Sequence, residues 1–404
     1  MPTLTDVADL IMGQSPPSST YNEGGDGLAF FQGKADFGFR YPTPRLFCSA
    51  PLKIAKPHDI LMSVRAPVGP TNLADRECCI GRGLAAIRPQ NIDGDFLFFN
   101  LRHIEKFIAS LGGGSTFHAI NKTQLGSVVI NEYKFNLFEQ RKIAAVLGVV
   151  QRAIEQQERL LALTAELKKT LLQQLFTQGL RGEPQKQTEI GLVPESWDVL
   201  PLGSLAKVGN GSTPKRDNVA YWQGGSIPWL NSAKIHERFI FEADQFVTEL
   251  AAKECHLPRV KSGSLLIAIT GQGKTLGNSA LVSFETCINQ HLAYAQFTTS
   301  RAIPEFVLWF MQTRYEHLRS VGLGGGSTKG ALTCGFLKTY PIPLPSLGEQ
   351  REIADVFAAL DQKEKVHEGK HAALAALFRT LLHQLMTAQI RVHDLDLPEL
   401  ETLP

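Results

Sequence analysis

LGGGST stands at residues 111–116 and again at residues 323–328, and each copy opens a long matching block. The first block, residues 135–177, reads FNLFEQRKIAAVLGVVQRAIEQQERLLALTAELKKTLLQQLFT. The second, residues 345–387, reads PSLGEQREIADVFAALDQKEKVHEGKHAALAALFRTLLHQLMT. Glu139-Gln140-Arg141 aligns with Glu349-Gln350-Arg351, Leu171 with Leu381, and Leu175 with Leu385. About 210 residues separate the copies. A period this long is a duplicated domain rather than a solenoid or propeller array. Two similar modules suit a two-part ligand.

Each block reads as one long helix. Positions 143, 147, 150, 154, 157, 161, 164, 168, 171 and 175 hold Ile, Leu, Val, Ile, Gln, Leu, Thr, Lys, Leu and Leu. Their counterparts from 353 to 385 hold Ile, Phe, Leu, Glu, His, His, Leu, Phe, Leu and Leu. The spacing is heptad-like, apolar at both ends and polar in the middle, and no proline interrupts it. About 40 residues make a rod of roughly 60 Å. One such stripe cannot hide alone, so the two helices are expected to pair as an antiparallel coiled coil within the chain. Gln157, Thr164 and Lys168 would then face Glu364, His367 and His371 and fix the register. The alternative is that each helix packs only on its own globular domain.

The repeat extends outward. Residues 4–16 (LTDVADLIMGQSP) resemble 202–214 (LGSLAKVGNGSTP), 60–64 (ILMSV) resemble 265–269 (LLIAI), and 79–85 (CIGRGLA) resemble 287–293 (CINQHLA). The second copy carries short insertions, which in repeats map to loops. Short apolar runs between Gly, Pro and Asn turn signals predict an α+β domain ahead of each long helix. Helices are expected at 97–111 and 305–321, each ending at its glycine run. The expected organisation is a first α+β domain at 1–137, a long helix at 138–180, a linker at 181–196, a second α+β domain at 197–347, a second long helix at 348–390 and a tail at 391–404.

Bulk properties describe an ordinary globular protein of 404 residues, 43% hydrophobic and 20% charged, with a net charge of only +2. Any nucleic-acid surface must therefore come from local clustering of Lys and Arg. The six cysteines form no Cys-x-x-Cys pair and read as reduced thiols. With no signal peptide and no apolar run of membrane length, a cytoplasmic location is expected.

Catalytic signatures are weak. Residues 268–275 (AITGQGKT) fit a relaxed phosphate-loop pattern, but the following LGNSALVSF reads as turn then strand, whereas a phosphate loop needs a helix there. Copy one has SVRAPVGP, residues 63–70, in the same place. Ser15-Pro16-Pro17-Ser18 resembles the loop with which amino-methyltransferases hold a flipped base, without the aromatic residue that would stack on it. No glycine loop for S-adenosylmethionine, metal-ligand spacing or nucleophile elbow stands out, so no cofactor is expected.

Recognition residues are more plentiful. Copy one offers Lys34, Arg40, Arg45, Lys53, Lys56, Arg65 and Arg82; copy two offers Lys207, Lys215, Arg216, Lys234, Arg238, Arg259 and Lys274. Cations bind phosphates, while Arg, Asn, Gln and Ser read base edges. The loops GNGSTPKR (209–216) and WLNSAK (229–234) concentrate such groups, which makes Ser212, Thr213, Lys215, Arg216, Asn231, Ser232 and Lys234 candidate DNA contacts. Lys274 and Thr275 join them, as does Gln290, the counterpart of Arg82.

In order and in duplicate, these signatures closely resemble the specificity subunit of type I restriction–modification systems: GGGST, EQR-x-IA and the long helix, the Gly-x-(Ser/Thr)-Pro opening, and the IPWLNSAKI and CINQHLA segments. The resemblance covers nearly the whole chain. It implies two target recognition domains, each reading one half of a split double-stranded DNA site, with antiparallel spacer helices setting their distance. It further implies that this chain does no catalysis, and that it recruits two methyltransferase subunits and the restriction–translocase subunits, with no membrane partner. Gly81-Arg82-Gly83 against Asn289-Gln290-His291, and Arg65-Ala66-Pro67 against Thr270-Gly271-Gln272, depart from each other and predict two different half-targets. An enzyme acting alone, or a duplicated scaffold that ignores DNA, would be separated from this reading by turnover of the purified chain and by salt-dependent DNA binding.

Overall fold

The computed structural model describes residues 2–112, 119–130, 135–271, 274–324 and 331–394. The chain divides into two compact units. The first comprises residues 1–160 and 367–404, the second residues 161–366. Each unit therefore holds one globular domain and parts of both long helices, Leu137–Gln178 and Leu347–Met386.

The first unit is built on a four-stranded antiparallel sheet in the order Ala8–Met12, Leu84–Pro89, Ile60–Ser63, Thr71–Leu73. Leu10 lies opposite Ile87, and Leu61 opposite Ala86. Ile60–Ser63 is buried along its whole length, which is why it reads as a continuous apolar run rather than an alternating one. A second, five-stranded sheet includes Leu28–Phe31 beside Cys78–Ile80, paired in parallel. The second unit repeats both parts. Its larger sheet runs Ala206–Asn210, Leu292–Phe297, Leu265–Ala268, Ser279–Val282, Phe239–Ile240. Its smaller sheet places Ile227–Leu230 between Gln245–Val247 and Cys287–Ile288.

A buried helix packs on the four-stranded sheet of the first unit and on the five-stranded sheet of the second. In the first unit it is Gly94–His103, capped by the Asp93 carboxylate accepting the Phe96 N–H at 2.9 Å. In the second it is Pro304–Thr313, with proline in the first turn, where its missing N–H costs nothing. The single helices expected at 97–111 and 305–321 are each two helices. The break falls at Ile104 (φ −97°, ψ 13°) and Arg314 (φ −99°, ψ 2°), after which Glu105–Leu111 and Tyr315–Gly324 begin. The reason lies in burial. The first piece of each is apolar on nearly all sides, and the second carries a mostly polar, exposed face. One straight helix could not serve both environments.

The long helices complete each core. In the first unit Ile143 and Leu147 share a core with Phe96, Phe99, Phe378 and Leu385. In the second, Phe176 stacks on Phe357 with centroids 6.3 Å apart, and Trp309 lies 4.9 Å from Phe357. Residue numbers rise along one helix as they fall along its neighbour, so the pairing is antiparallel. Gln157 meets His367 at 2.8 Å, and Lys168 meets Glu364 at 3.2 Å as well as Asp361. Thr164 is buried, and His371 lies 3.2 Å from Glu158, a residue beside the predicted stripe. Asp361, also off the stripe, bridges Lys168 to Arg238 at 2.7 Å.

The repeated Glu-Gln pair anchors each helix start. Glu139 and Asn136 cap reciprocally, the Glu139 N–H bonding Asn136 at 2.9 Å and the Asn136 N–H bonding Glu139 at 3.1 Å. The next residue, buried Gln140, accepts the Asp93 N–H at 3.0 Å and donates to the Phe135 carbonyl at 3.2 Å. Gln350 repeats this with the Ile303 N–H at 2.8 Å and the Pro345 carbonyl at 2.9 Å. The stretch 181–196, expected as a linker, is an ordered antiparallel hairpin of Gln185–Thr188 and Gly191–Pro194.

Candidate nucleic-acid interface

In each unit the two sheets are joined by three residues, Gly81-Arg82-Gly83 in the first and Asn289-Gln290-His291 in the second. Around this corner the same backbone bonds recur. Gly13 N–H donates to Leu84 at 2.8 Å, and Gly211 to Leu292 at 3.3 Å. Gln14 donates to Ile80, and Ser212 to Ile288, both at 3.0 Å. Gly81 donates to Phe31 at 2.8 Å, and Asn289 to Leu230 at 2.9 Å. Val64 donates to Gly83 at 2.9 Å, and Ile269 to His291 at 3.0 Å. Glycine is required at the strand exits: a Cβ on Gly13 would lie 2.2 Å from the Gly81 carbonyl, and one on Gly211 would lie 1.8 Å from that of Ile288. The duplication therefore fixes one backbone corner twice.

What differs is what the corner carries. The first unit presents Ser15, Gln32, Arg65 and Arg82, and the second presents Thr213, Asn231, Thr270 and Gln290 at the corresponding places. Every one is a hydrogen-bonding side chain and none is acidic. In the first unit Lys34, Arg65 and Arg82 line one cleft of about 410 Å3 together with Ser15, Tyr21, Gln32 and Ser63. All three cations are exposed, and none pairs with a carboxylate among the described residues. Burial beside Cys48 and Cys79 raises the Tyr21 phenol above its usual value, so it stays a neutral hydroxyl.

The second corner is more polar than cationic. Thr213 bonds Gln290, His291 Nδ1 meets the Thr270 hydroxyl, and Thr275 lies 3.4 Å from His236. Beside it, Arg216 stacks over Trp222 at 3.9 Å and Trp229 at 4.9 Å. The two indole N–H groups bond the Lys215 carbonyl at 3.0 Å and the Ser212 carbonyl at 3.2 Å, so the GNGSTPKR loop is held in shape from below. Lys215 and Lys274 are exposed. After Lys274 and Thr275 the chain turns into the strand Ser279–Val282 rather than a helix; Gln272 and Gly273 lie outside the described residues. So do residues 113–118 and 325–330 of the twin glycine runs, whose following residues Ala119 and Ala331 bridge to Arg65 and Thr270.

Other candidates are engaged within the fold. Arg40 pairs with Asp95 at 2.7 Å and lies 5.9 Å from the Phe98 ring, with only 13% of its side chain exposed. Arg45 pairs with Asp36 at 3.0 Å. Lys234 is bonded to Glu237 at 2.8 Å and Asp244 at 3.1 Å, which hold its ammonium above the ordinary lysine value. Asn231 caps the short turn that contains Ser232, accepting the Ala233 N–H at 2.8 Å. Gln32 was not singled out from sequence; Ser15 was noted there only in a methyltransferase-like loop, and Thr270 and His291 only as positions where the copies differ, although the internal alignment already set Ser15 opposite Thr213 and Arg65 opposite Thr270. Burial pushes the Cys78 thiol up to about 12 and the Cys287 thiol up to about 11, so neither of these two offers a thiolate.

A family model described as type I restriction modification DNA specificity domain matches residues 2–165 and 194–376. The chain is 44% identical over 174 residues to the MjaX specificity subunit of Methanocaldococcus jannaschii, covering 43% of this chain and 40% of that one. It is 30% identical over 215 residues to the MjaIX specificity subunit of the same organism, covering 51% and 48%. The chain thus spans less than half the length of these two relatives. Among solved structures, the S subunit of a type I restriction–modification system from M. genitalium superposes with a TM-score of 0.64 at 17% identity, covering 95% of this chain and 94% of that one. That likeness is one of fold.

Proposed function

Since the chain belongs to the family of type I restriction–modification DNA specificity proteins, we propose that it reads a split DNA target, one half with each unit, and leaves the chemistry to other subunits. The observation that carries this reading is the doubled corner: one backbone, held by the same bonds, bearing two different sets of hydrogen-bonding side chains. A fixed frame with exchangeable polar groups is what base-edge readout needs, and unlike sets call for unlike half-targets. Lys34, Arg65, Lys215 and Lys274 supply phosphate contacts that position each frame without naming a base.

The paired helices set the spacing between half-targets and dock the methyltransferase subunits, with restriction–translocase subunits joining that assembly. Docking is supported by the exposed row Leu160, Leu163 and Leu167 on one long helix and by Val366 and Leu377 on the other. Described cysteines that are all free thiols suit a reducing cytoplasm, and among the described residues no helix is long and apolar enough to cross a membrane.

The test is binding of the full chain, with its methyltransferase subunits, to a pool of random duplexes. The reading predicts recovery of two unlike conserved halves around an unspecified gap, with binding that falls steeply with salt. Recovery of no sequence preference, or methylation and cleavage by the isolated chain, would contradict it.

A further inference from the structure

We infer that Arg82 and Gln290 are the base-reading side chains of the two units, Arg82 taking guanine in one half-target and Gln290 taking adenine in the other. The inference rests on the split-target reading above and assigns the bases it leaves open.

Position comes first. Arg82 and Gln290 are the middle residues of the two sheet-joining corners, and both side chains are exposed while their neighbours on at least one side are buried. The corner does not bend freely. A Cβ on Gly83 would lie 2.2 Å from the Gln32 carbonyl, so backbone runs against backbone there. The Arg82 N–H is itself held by the Ser15 hydroxyl at 3.2 Å. A fixed backbone spares the cost of ordering the corner on binding and leaves only that of the side chain.

Availability comes second. Arg40, Arg45, Arg76 and Arg88 each pair with a carboxylate at 2.7–3.0 Å in the same unit. Arg82 pairs with none among the described residues, so its planar fork of donors stays open. Lys34 and Arg65 line the same cleft and supply positive charge for the backbone, while Arg82 stands at the middle of the corner itself.

Chemistry then separates the two units. Guanine shows two acceptors, N7 and O6, in the major groove, and a guanidinium matches them with two parallel N–H groups. Adenine shows the N7 acceptor and the N6 donor, and a primary amide matches these with one donor and one acceptor. Gln290 is already oriented for this. Thr213 bonds its carbonyl oxygen, and its amide nitrogen lies 3.3 Å from His291 Nε2. The carbonyl keeps a second lone pair and the amide a second N–H.

The experiment uses the full chain in complex with its methyltransferase subunits on a plasmid library of random inserts, with modified sites read by sequencing. Arg82→Ala should make one G·C pair of one half-target freely replaceable, lowering discrimination there about 5- to 150-fold and leaving the other half unchanged. Gln290→Ala should do the same at one A·T pair of the other half. Gln290→Arg should convert that preference to guanine. The untouched half reports folding in each variant. The inference is overturned if the variants leave every position unchanged, if the relaxed positions are not a guanine and an adenine respectively, or if both halves are lost together, which marks a structural role. A wild-type complex with no split target overturns the split-target reading itself, whereas a split target indifferent to both residues overturns this inference alone.

Discussion

Gln350 is a buried amide whose three hydrogen bonds tie the start of a long helix to Ile303, Arg301 and Pro345. Truncating it strands these buried groups, so Gln350→Ala should lower the stability of the second unit by about 2–3 kcal/mol, read from urea denaturation. The exposed neighbour Arg351→Ala should change it by less than about 0.5 kcal/mol. An equal effect of both would show that the suture carries no weight. The sequence displayed the Glu-Gln-Arg motif by repeating it, but the role of the glutamine was not legible, because two of its partners, Ile303 and Arg301, lie 47 and 49 residues before it. The same limit applies to Arg40 and Lys234. Their charge was visible and their neutralising partners Asp95, Glu237 and Asp244 were not. A pH-dependent residue follows the same logic. Burial and then the neighbouring His383 hold His103 below its ordinary value of 6.5. The unfolded chain therefore takes up the proton first, and stability should fall as pH drops through about 6.5. His103→Gln should flatten the pH dependence of the urea midpoint between about pH 7 and pH 5; an unchanged slope would remove His103 from the account.

At the level of elements, the long helices were the most legible part of the chain. An uninterrupted heptad stripe survives any uncertainty about loops. The stripe did not reveal Asp361, which lies beside it and joins Lys168 to Arg238, a residue of the globular domain. These ions are mostly covered, and removing one partner leaves the others uncompensated. Asp361→Ala should cost about 3–5 kcal/mol, whereas replacing Lys168 by Met together with Asp361 by Leu should recover part of that loss. A single variant as stable as the parent would show that the cluster is solvated. The proposed role of the helices as a spacer also belongs here. Adding seven residues to both helices lengthens each by about 10 Å, equivalent to roughly three base pairs at 3.4 Å each. The expected result is a longer gap with both half-targets unchanged, read by methylation mapping; altered half-targets at an unaltered gap would end the spacer idea.

For the whole molecule, duplication was legible in the sequence, while the corner that positions the candidate site was not. Its parts come from residues near 13, 31, 64 and 81 in one unit and near 211, 230, 269 and 289 in the other. Only the backbone bonds bring them together. With a net charge of +2 there is no global field to hold DNA, so affinity has to come from local cations such as Lys34 and Arg65. Replacing both by alanine should weaken binding evenly across sequences and reduce the slope of log K against log salt by about 0.9 for each phosphate no longer neutralised. The most direct measurement is the map of methylated positions in DNA modified by the complex that contains this chain. The account predicts one interrupted sequence with two unlike halves at a constant separation. A single uninterrupted sequence, or two identical halves, would contradict it.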